Sequence, residues 1–480
     1  MAANARRMTG PLARKSIEAL QADATSHGLR RTLGPLHLML LGIGCILGAG
    51  IYVLPGTAAA NFAGPAVMIS FVIAGTACAL TALCYAELAS TMPVSGSSYS
   101  YCYAALGEVF AWGLGWILML EYTLASSSLA VGFSSYLVSL LRDFDVVVPA
   151  VIATPLVGSG DGFSMNLLAV LAIVVVTGVL CAGVRQSAGV NAFLVVVKVA
   201  VLAVVISVGV SAIDPGNWKP FIPPNEGGFA FGWPGIVRAA SILFFAYLGF
   251  ETVSTAASES RNPQRDMPIG IIGSLVICTI LYIGVVIVLT GMVKYDQLHE
   301  KAAVSEAFGQ VGMPWAKGLI APAALAGLTS VILVSLLGST RVIMSMSRDG
   351  LLPPFFSAIH SSFKTPAKGT IVIGFFVALM AGFLPLNVLL DLTNIGTLFA
   401  FAVVCGAVLV MRYTNPTAPR PFRVPGVWVI APLGIALCLL LMLSLKPENW
   451  YRLIGWMGVG LLIYFLYGRS HSLLGKSASA

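Results

Sequence analysis

Long apolar runs separated by short polar breaks follow one another along this chain from Leu36 to Leu466. The runs are about as long as a helix that crosses a bilayer, which needs roughly 17 to 25 residues. Because lipid offers no water to exposed peptide groups, and because the runs lack period-two alternation, they are predicted to be helices in an all-α fold. The twelve predicted spans are 36–60, 65–90, 107–141, 165–183, 189–212, 233–259, 268–293, 316–346, 367–384, 387–411, 425–445 and 452–467.

The polar breaks are loop-sized, so the pattern predicts a single membrane domain over 35–468. A polar, basic segment over 1–34 has no signal-peptide pattern and is expected to be a cytoplasmic tail, as is the segment 469–480. The domain is expected to contain two inverted repeats and two extra helices, at about 35–212, 233–411 and 425–467.

Composition supports a membrane protein and an orientation for it. The chain is 58% hydrophobic and only 10% charged, whereas soluble proteins carry roughly 25% charged residues. With both tails on the cytoplasmic side, most of the 27 Lys and Arg fall in cytoplasmic segments, as the positive-inside rule requires. The net charge of +8 is therefore attributed to topology and to contact with anionic lipid, and its spread over separate loops argues against nucleic acid.

The first and sixth predicted spans contain helix-weakening interruptions at comparable positions. They read GIGCILGAGIY over 42–52 and FFAYLGFET over 244–252. Interrupted helices at matching places in two halves indicate a transporter site near the middle of the membrane. The alternative interpretation is that these glycines only allow helices to pack closely.

A broken helix frees backbone groups that can bind both ends of a zwitterion. Amides at the start of the second half can hold a carboxylate, and the candidates are Ala49, Gly50 and Ile51. Carbonyls at the end of a half-helix can hold an ammonium group. The candidates for that contact are Ile43, Cys45 or Ile46 in the first span, and Phe245, Ala246 or Leu248 in the sixth.

Lys198 lies deep within the fifth predicted span. About ten residues of helix place it about 15 Å from either end, farther than its stem of roughly 6 Å can reach. An ammonium group there costs several kcal/mol unless it is paired or loses its proton. Lys198 is therefore predicted to carry a proton, or to be a fixed cation where a sodium ion would otherwise bind. The alternative is a structural lysine bonded to carbonyls.

Glu121 and Glu251 are the two deep carboxylates. Either is a candidate to pair with Lys198 or to relay a proton, and Glu251 adjoins the sixth-span interruption. The alternative for Glu121 is a helix contact. Arg238 and Asp391 lie nearer the ends of their spans, where snorkelling or gating explains them.

Metal, disulfide and enzymatic chemistry are not expected. The eight cysteines include no CxxC pair, and the five histidines form no cluster and lie outside or at the edges of the spans. A membrane enzyme would need a convergent set of nucleophile, base or metal ligands. No cofactor is predicted.

Six segments in order resemble the amino acid, polyamine and organocation (APC) transporter superfamily, specifically its bacterial cationic-amino-acid-transporter-like branch. The resemblance covers nearly the whole chain. The segments are GCILGAGIYVLPG (44–56), ALCYAELASTMPVSGS (82–97), GWILMLEYTLASS (115–127), FFAYLGFETVSTAASE (244–259), NPQRDMP (262–268) and MSRDGLL (346–352).

The resemblance implies a LeuT-type fold of five plus five inverted repeats with two extra helices, working by alternating access. It implies that the substrate carboxylate meets the backbone at Gly48, Ala49 and Gly50. It associates Lys198 with coupling to protons rather than sodium. The carbonyls that it implies for the substrate amine are those of Ile46, Phe245, Ala246 and Leu248.

Two departures from the family pattern leave the choice of substrate open. Eukaryotic members with fourteen spans favour Arg and Lys, whereas twelve spans are predicted here, so the resemblance does not establish a cationic substrate. Many relatives have Ser or Thr between the two first-span glycines, where this chain has Ala49. A hydroxyl contact is lost there.

The leading prediction is a secondary transporter that imports amino acids with protons across a bacterial inner membrane. The alternative within transport is an exchanger of an amino acid for a related amine. In a different class, the alternative is an amino-acid-sensing receptor or scaffold. No span carries the repeated polar stripe that a channel needs. The expected partners are an amino acid, membrane lipid and a candidate small accessory subunit, and the oligomeric state stays open.

Overall fold

The computed structural model of the protein describes residues 12–20, 33–94, 96–156, 164–182, 188–298, 303–360 and 365–474. Within these ranges the chain is nearly all helical. Extended pairing is limited there to two isolated bridges, Leu33 with Ser260 and Gly227 with Ala230. The predicted all-α class is confirmed.

Twelve α-helices of twelve or more residues lie in the described ranges, and each begins and ends within a few residues of a predicted span or of its first half. They are α1 (Pro35–Ile46), α2 (Val67–Thr91), α3 (Glu108–Asp143), α4 (Leu167–Ala182), α5 (Ala188–Gly209), α6 (Gly232–Leu243), α7 (Pro263–Met292), α8 (Pro314–Arg348), α9 (Ala367–Phe383), α10 (Leu386–Thr414), α11 (Val427–Leu443) and α12 (Pro447–Ile463). Shorter α-helical segments lie at Ala49–Tyr52, Leu54–Ala58, Ser97–Ala105, Ala150–Ala153, Thr252–Thr255, Ala303–Gln310 and Arg469–His471.

The helices have the length and composition of a protein that crosses a membrane several times. Eight helical segments of the described chain are long and apolar enough to span a bilayer. Four further helices, α1, α4, α9 and α11, are apolar but shorter, with 10–17 residues. The chain is therefore a multi-span membrane protein.

Two groups of helices position the interrupted segments. The 36-residue helix α3 packs against α8, α9 and α10. On the other side, α7 packs against α1 and α2, and α5 also contacts α1. The short helix Ala49–Tyr52 touches both α3 and α8. The first-span interruption thus lies between the two groups.

A buried carboxylate joins the end of α2 to the end of α10 and to the segment after it. Glu87 accepts two hydrogen bonds from Arg412, at 2.7 and 2.6 Å, and one from the backbone N–H of Val424 at 2.7 Å. The Arg420 guanidinium lies 3.3 Å from the same carboxylate. Two planar guanidinium groups and an amide compensate a charge that would otherwise be costly to bury.

The loop motif at 347–350 gathers both terminal segments of the described chain. Asp349 accepts hydrogen bonds from Lys15 and from the Tyr99 hydroxyl, each at 2.6 Å. Its carbonyl accepts from the Leu473 amide at 3.1 Å. The side chain therefore links a segment near the N-terminus to the end of α8.

Candidate functional site

The first interruption begins where α1 ends at Ile46. The Gly48 amide turns back and donates to the Ile46 carbonyl at 2.8 Å, and the Ile51 amide donates to the Gly48 carbonyl at 3.3 Å. Of the amides predicted to meet a carboxylate, those of Gly48 and Ile51 are thus engaged within the turn. Ala49 and Gly50 open the next short helix, where amides lack intrahelical partners.

The sixth interruption lies between α6 and the short helix Thr252–Thr255. A 3-10 turn, Phe244–Tyr247, leads into a non-helical stretch in which Gly249 has a φ of +120°. The Gly249 amide donates to the Glu251 carboxylate at 2.9 Å. A non-glycine residue rarely adopts that φ, so glycine is required for this turn.

The two interruptions pack directly against each other, backbone to backbone. A methyl group added to Gly50 would lie 2.3 Å from the Ala246 Cα atom. One added to Gly249 would lie 2.8 Å from the Cys45 carbonyl carbon. The glycines therefore serve both roles that the sequence left open, because they interrupt helices and also allow the closest approach between them.

A cavity lies where the two interruptions face α3 and α8. Both deep carboxylates, Glu121 and Glu251, reach it. Of the predicted substrate contacts, it is lined by Cys45, Ile46, Gly48, Gly50, Phe245 and Leu248. Sequence reasoning missed the walls that α3 and α8 contribute, because no polar pattern marks them. These residues are Tyr122, Ala125, Leu129, Val331, Val334 and Ser335.

Two further predicted contacts, Ala246 and Ala49, lie next to residues that line the cavity. Ala246 is buried against Gly50. The Ala49 backbone begins the short helix after the first interruption. Backbone groups at both positions are therefore near enough to the lining residues to contact a ligand.

Lys198 is buried, with 3% of its surface exposed, and its ammonium group donates to the Gly44 carbonyl at 3.3 Å. It also lies beside Gly327 of α8, where an added methyl group would be 3.4 Å from the lysine Cε atom. Lys198 thus joins α5, α1 and α8 next to the first interruption. Among the ion pairs of the described residues, none joins Lys198 to Glu121 or Glu251.

The two carboxylates differ in how their oxygens are satisfied. One Glu251 oxygen accepts the Gly249 amide. In Glu121, which is 2% exposed, the Oε2 atom has no hydrogen-bond partner in the structure. A buried polar atom without a partner is costly. Glu121 therefore offers the cavity an unused hydrogen-bonding position.

Arg238 and Asp391 form a buried ion pair between α6 and α10. One guanidinium nitrogen lies 2.7 and 2.9 Å from the two carboxylate oxygens. The Asn449 side chain also donates to Asp391, at 3.3 Å, and the guanidinium lies over the Phe62 ring at 5.6 Å. The sequence placed each residue near a span end but did not pair them, since they are 153 positions apart.

Removing one partner of this pair should destabilise the protein more than removing both. Asp391→Leu leaves a buried guanidinium without its anion, which typically costs about 3–5 kcal/mol, whereas an apolar pair is often neutral. We expect Asp391→Leu to lower the melting temperature in detergent, and Arg238→Met with Asp391→Leu to recover most of the loss. A double-mutant cycle measures this coupling. Equal melting temperatures for the single and double variants would contradict it.

Apolar helices that are interrupted opposite one another around a buried cavity define a multi-span membrane protein of the transporter class. The chain belongs to the amino acid permease family, whose profile matches residues 33–462. This confirms the resemblance to the APC superfamily that the sequence segments indicated.

The relatives are transporters and permeases, which confirms that the chain is not an enzyme. It is 46% identical over 469 residues to the methylthioribose transporter of Bacillus subtilis (strain 168), covering 98% of this chain and 100% of the relative. It is 43% identical to the branched-chain amino acid permease BcaP of the same organism, covering 96% and 98%. Identity to the vacuolar cationic amino acid transporter 4 of Arabidopsis thaliana is 41%, covering 84% and 66%.

Proposed function

We propose that this chain is a secondary active transporter that carries an amino acid across the cell membrane by alternating access. One observation carries the proposal: two interrupted segments meet at a shared cavity, with Gly50 and Ala246 in direct contact. Amides at the start of the short helix Ala49–Tyr52 would bind the carboxylate. Carbonyls at Ile46 and in the Phe245–Leu248 stretch would bind the amine.

The proposed architecture has twelve membrane crossings, two inverted five-helix repeats and cytoplasmic termini. The eight long apolar segments and the four shorter ones support that count. The pairing of interruptions in α1 and α6, five helices apart, supports the repeat. The distribution of Lys and Arg supports the orientation.

We infer coupling to protons, with Lys198 as the carrier and with Glu251 and Glu121 as candidate relays. The support is the position of Lys198, which is buried and bonded to the Gly44 carbonyl at the end of α1. Gain or loss of a proton there changes a contact between α5 and the interrupted helix. Such a contact is suited to couple protonation to helix movement. No sodium site is part of this proposal.

The substrate is proposed from the walls of the cavity and from the relatives together. Leu129, Val331 and Val334 give an apolar wall that suits an apolar side chain. Glu121 and Glu251 would suit a cationic one. The relatives include permeases for both kinds and one methylthioribose transporter. Methylthioribose, which lacks a zwitterion, is therefore the second candidate substrate.

A thermal-shift panel of the twenty amino acids and methylthioribose tests the substrate class. A ligand that binds only the folded protein raises its stability with concentration, so saturating substrate should raise the melting temperature measurably. We expect one or a few amino acids to do so. Stabilisation by methylthioribose alone would replace the amino acid proposal with the second candidate.

Uptake into proteoliposomes then separates the mechanisms. Uptake driven by an imposed pH gradient, into vesicles without internal substrate, is expected for a proton symporter. Uptake only into vesicles preloaded with an amino acid or amine would indicate an exchanger. Binding without uptake in either experiment would favour the receptor or scaffold.

A further inference from the structure

Tyr282 of α7 is a fully buried tyrosine whose hydroxyl group touches both interruptions. The hydroxyl oxygen lies 2.8 Å from the Ile46 carbonyl oxygen and 2.5 Å from that of Ala246. These two carbonyls come from the ends of two different half-helices. A side chain of a third helix therefore joins them at one point.

The single hydroxyl hydrogen of Tyr282 cannot satisfy both carbonyl oxygens. A tyrosine hydroxyl has one hydrogen to donate, whereas each carbonyl oxygen can accept two hydrogen bonds. Tyr282 can thus satisfy one of the two carbonyls at a time. The Ile46 carbonyl also accepts the Gly48 amide at 2.8 Å, which fixes its direction.

The surroundings hold the Tyr282 ring in one place. Its centroid lies 5.5 Å from that of Phe71 and 5.2 Å from that of Tyr247. The Tyr247 hydroxyl is itself held by the Phe71 carbonyl at 3.0 Å. A ring packed in this way cannot follow a carbonyl that moves, so the hydroxyl acts as a fixed point for both interruptions.

We propose that Tyr282 is a positioning residue that holds the Ile46 and Ala246 carbonyls together as acceptors for a substrate ammonium group. An ammonium has three N–H donors and can supply what one hydroxyl proton cannot. The hydroxyl of a 2-hydroxy acid has a single donor and no charge. The geometry thus selects substrates with an amine over their hydroxy analogues. This inference rests on the proposed amino acid transport.

Tyr282→Phe tests the role because it keeps the ring and removes only the hydroxyl. Binding is measured for L-leucine and L-lysine, each beside its 2-hydroxy acid analogue. We expect the preference for amine over hydroxyl to fall about tenfold, the size of one hydrogen bond to a charged group. A tyrosine that is only structural would weaken both ligands equally and leave the preference unchanged.

Tyr136→Phe is the matched control. Tyr136 is also fully buried, and its hydroxyl donates to a backbone carbonyl of the first span, that of Tyr52, at 2.6 Å. It does not line the cavity. The same chemical change there should alter stability without changing the preference for an amine.

Amide hydrogen exchange without substrate tests, separately from the proposed function, whether the Tyr282 hydroxyl holds the two interruptions together. Tyr282→Phe should speed amide exchange about tenfold in both 42–54 and 244–252, and Tyr136→Phe should not do so in 244–252. Unchanged exchange in either segment of Tyr282→Phe would show that the Tyr282 hydroxyl does not hold the interruptions together. An unchanged preference for amine over hydroxyl would show that it does not position the carbonyls for a substrate ammonium group. Failure of the wild-type protein to bind amino acids would refute both the proposed function and the role of Tyr282 toward a substrate ammonium group. The exchange result would still decide whether Tyr282 holds the two interruptions together.

Discussion

Replacing Lys198 with alanine is expected to abolish pH-driven accumulation of substrate while leaving measurable binding. The Lys198 ammonium group bonds the Gly44 carbonyl outside the cavity lining, so its loss removes the proposed proton carrier without removing a substrate contact. Counterflow needs no net proton movement and should survive. The measurements are uptake under an imposed pH gradient, counterflow, and thermal shift with the best-binding amino acid.

Lys198→Arg separates a proton carrier from a fixed cation. Arginine keeps its charge at all accessible pH values, whereas a lysine can lose its proton. If Lys198 carries the proton, substrate uptake by the arginine variant should be as uncoupled from the pH gradient as uptake by the alanine variant. If Lys198 is only a fixed cation in the position of a sodium ion, the arginine variant should recover the uptake that the alanine variant loses. Unchanged pH-driven uptake in Lys198→Ala would refute any coupling role.

The helices could be predicted from sequence because burial in lipid is a property of each segment by itself. The apolar run 107–141 corresponds to α3, Glu108–Asp143, with errors of one or two residues. The interruptions were also visible, since Gly48 and Gly249 weaken a helix wherever it lies. Local composition therefore fixes the elements and the places where they break.

Partners could not be predicted, because they depend on which helices pack together. Glu87 and Arg412 are 325 positions apart, and nothing near either residue marks the other. The expectation that a deep carboxylate pairs with Lys198 came from the cost of a buried charge. The structure gives Lys198 a carbonyl of α1, which became available only because that helix ends nearby at Ile46.

The same reason explains why Tyr282 was overlooked. It lies in an apolar helix, where a tyrosine is unremarkable as a packing residue. Its hydroxyl gains a role only when two carbonyls lose their helical partners in other parts of the chain. A side chain that acts on free backbone carbonyls thus depends on where other helices break. The pattern of side chains along the sequence does not show that dependence.

Gly50→Ala is expected to impair substrate binding at least tenfold and to lower the melting temperature. The added methyl group would lie 2.3 Å from the Ala246 Cα atom, so the two interruptions must separate. Backbone atoms cannot move aside as a flexible side chain can, and overpacking typically costs about 1–3 kcal/mol or more. Thermal melting and ligand titration measure the two effects.

Two further variants show whether the contact between the interruptions is the cause. Gly406→Ala in α10 has open space within 4 Å and should be neutral or slightly stabilising, as alanine is the better helix former. Ala246→Gly removes the Cβ atom, 2.5 Å from the added methyl group, but leaves the Cα atom. It should therefore fail to rescue Gly50→Ala. Full rescue would show that the added methyl group clashes with the Ala246 side chain rather than with its backbone. Normal substrate binding by Gly50→Ala would show that the interruptions need not touch for substrate to bind.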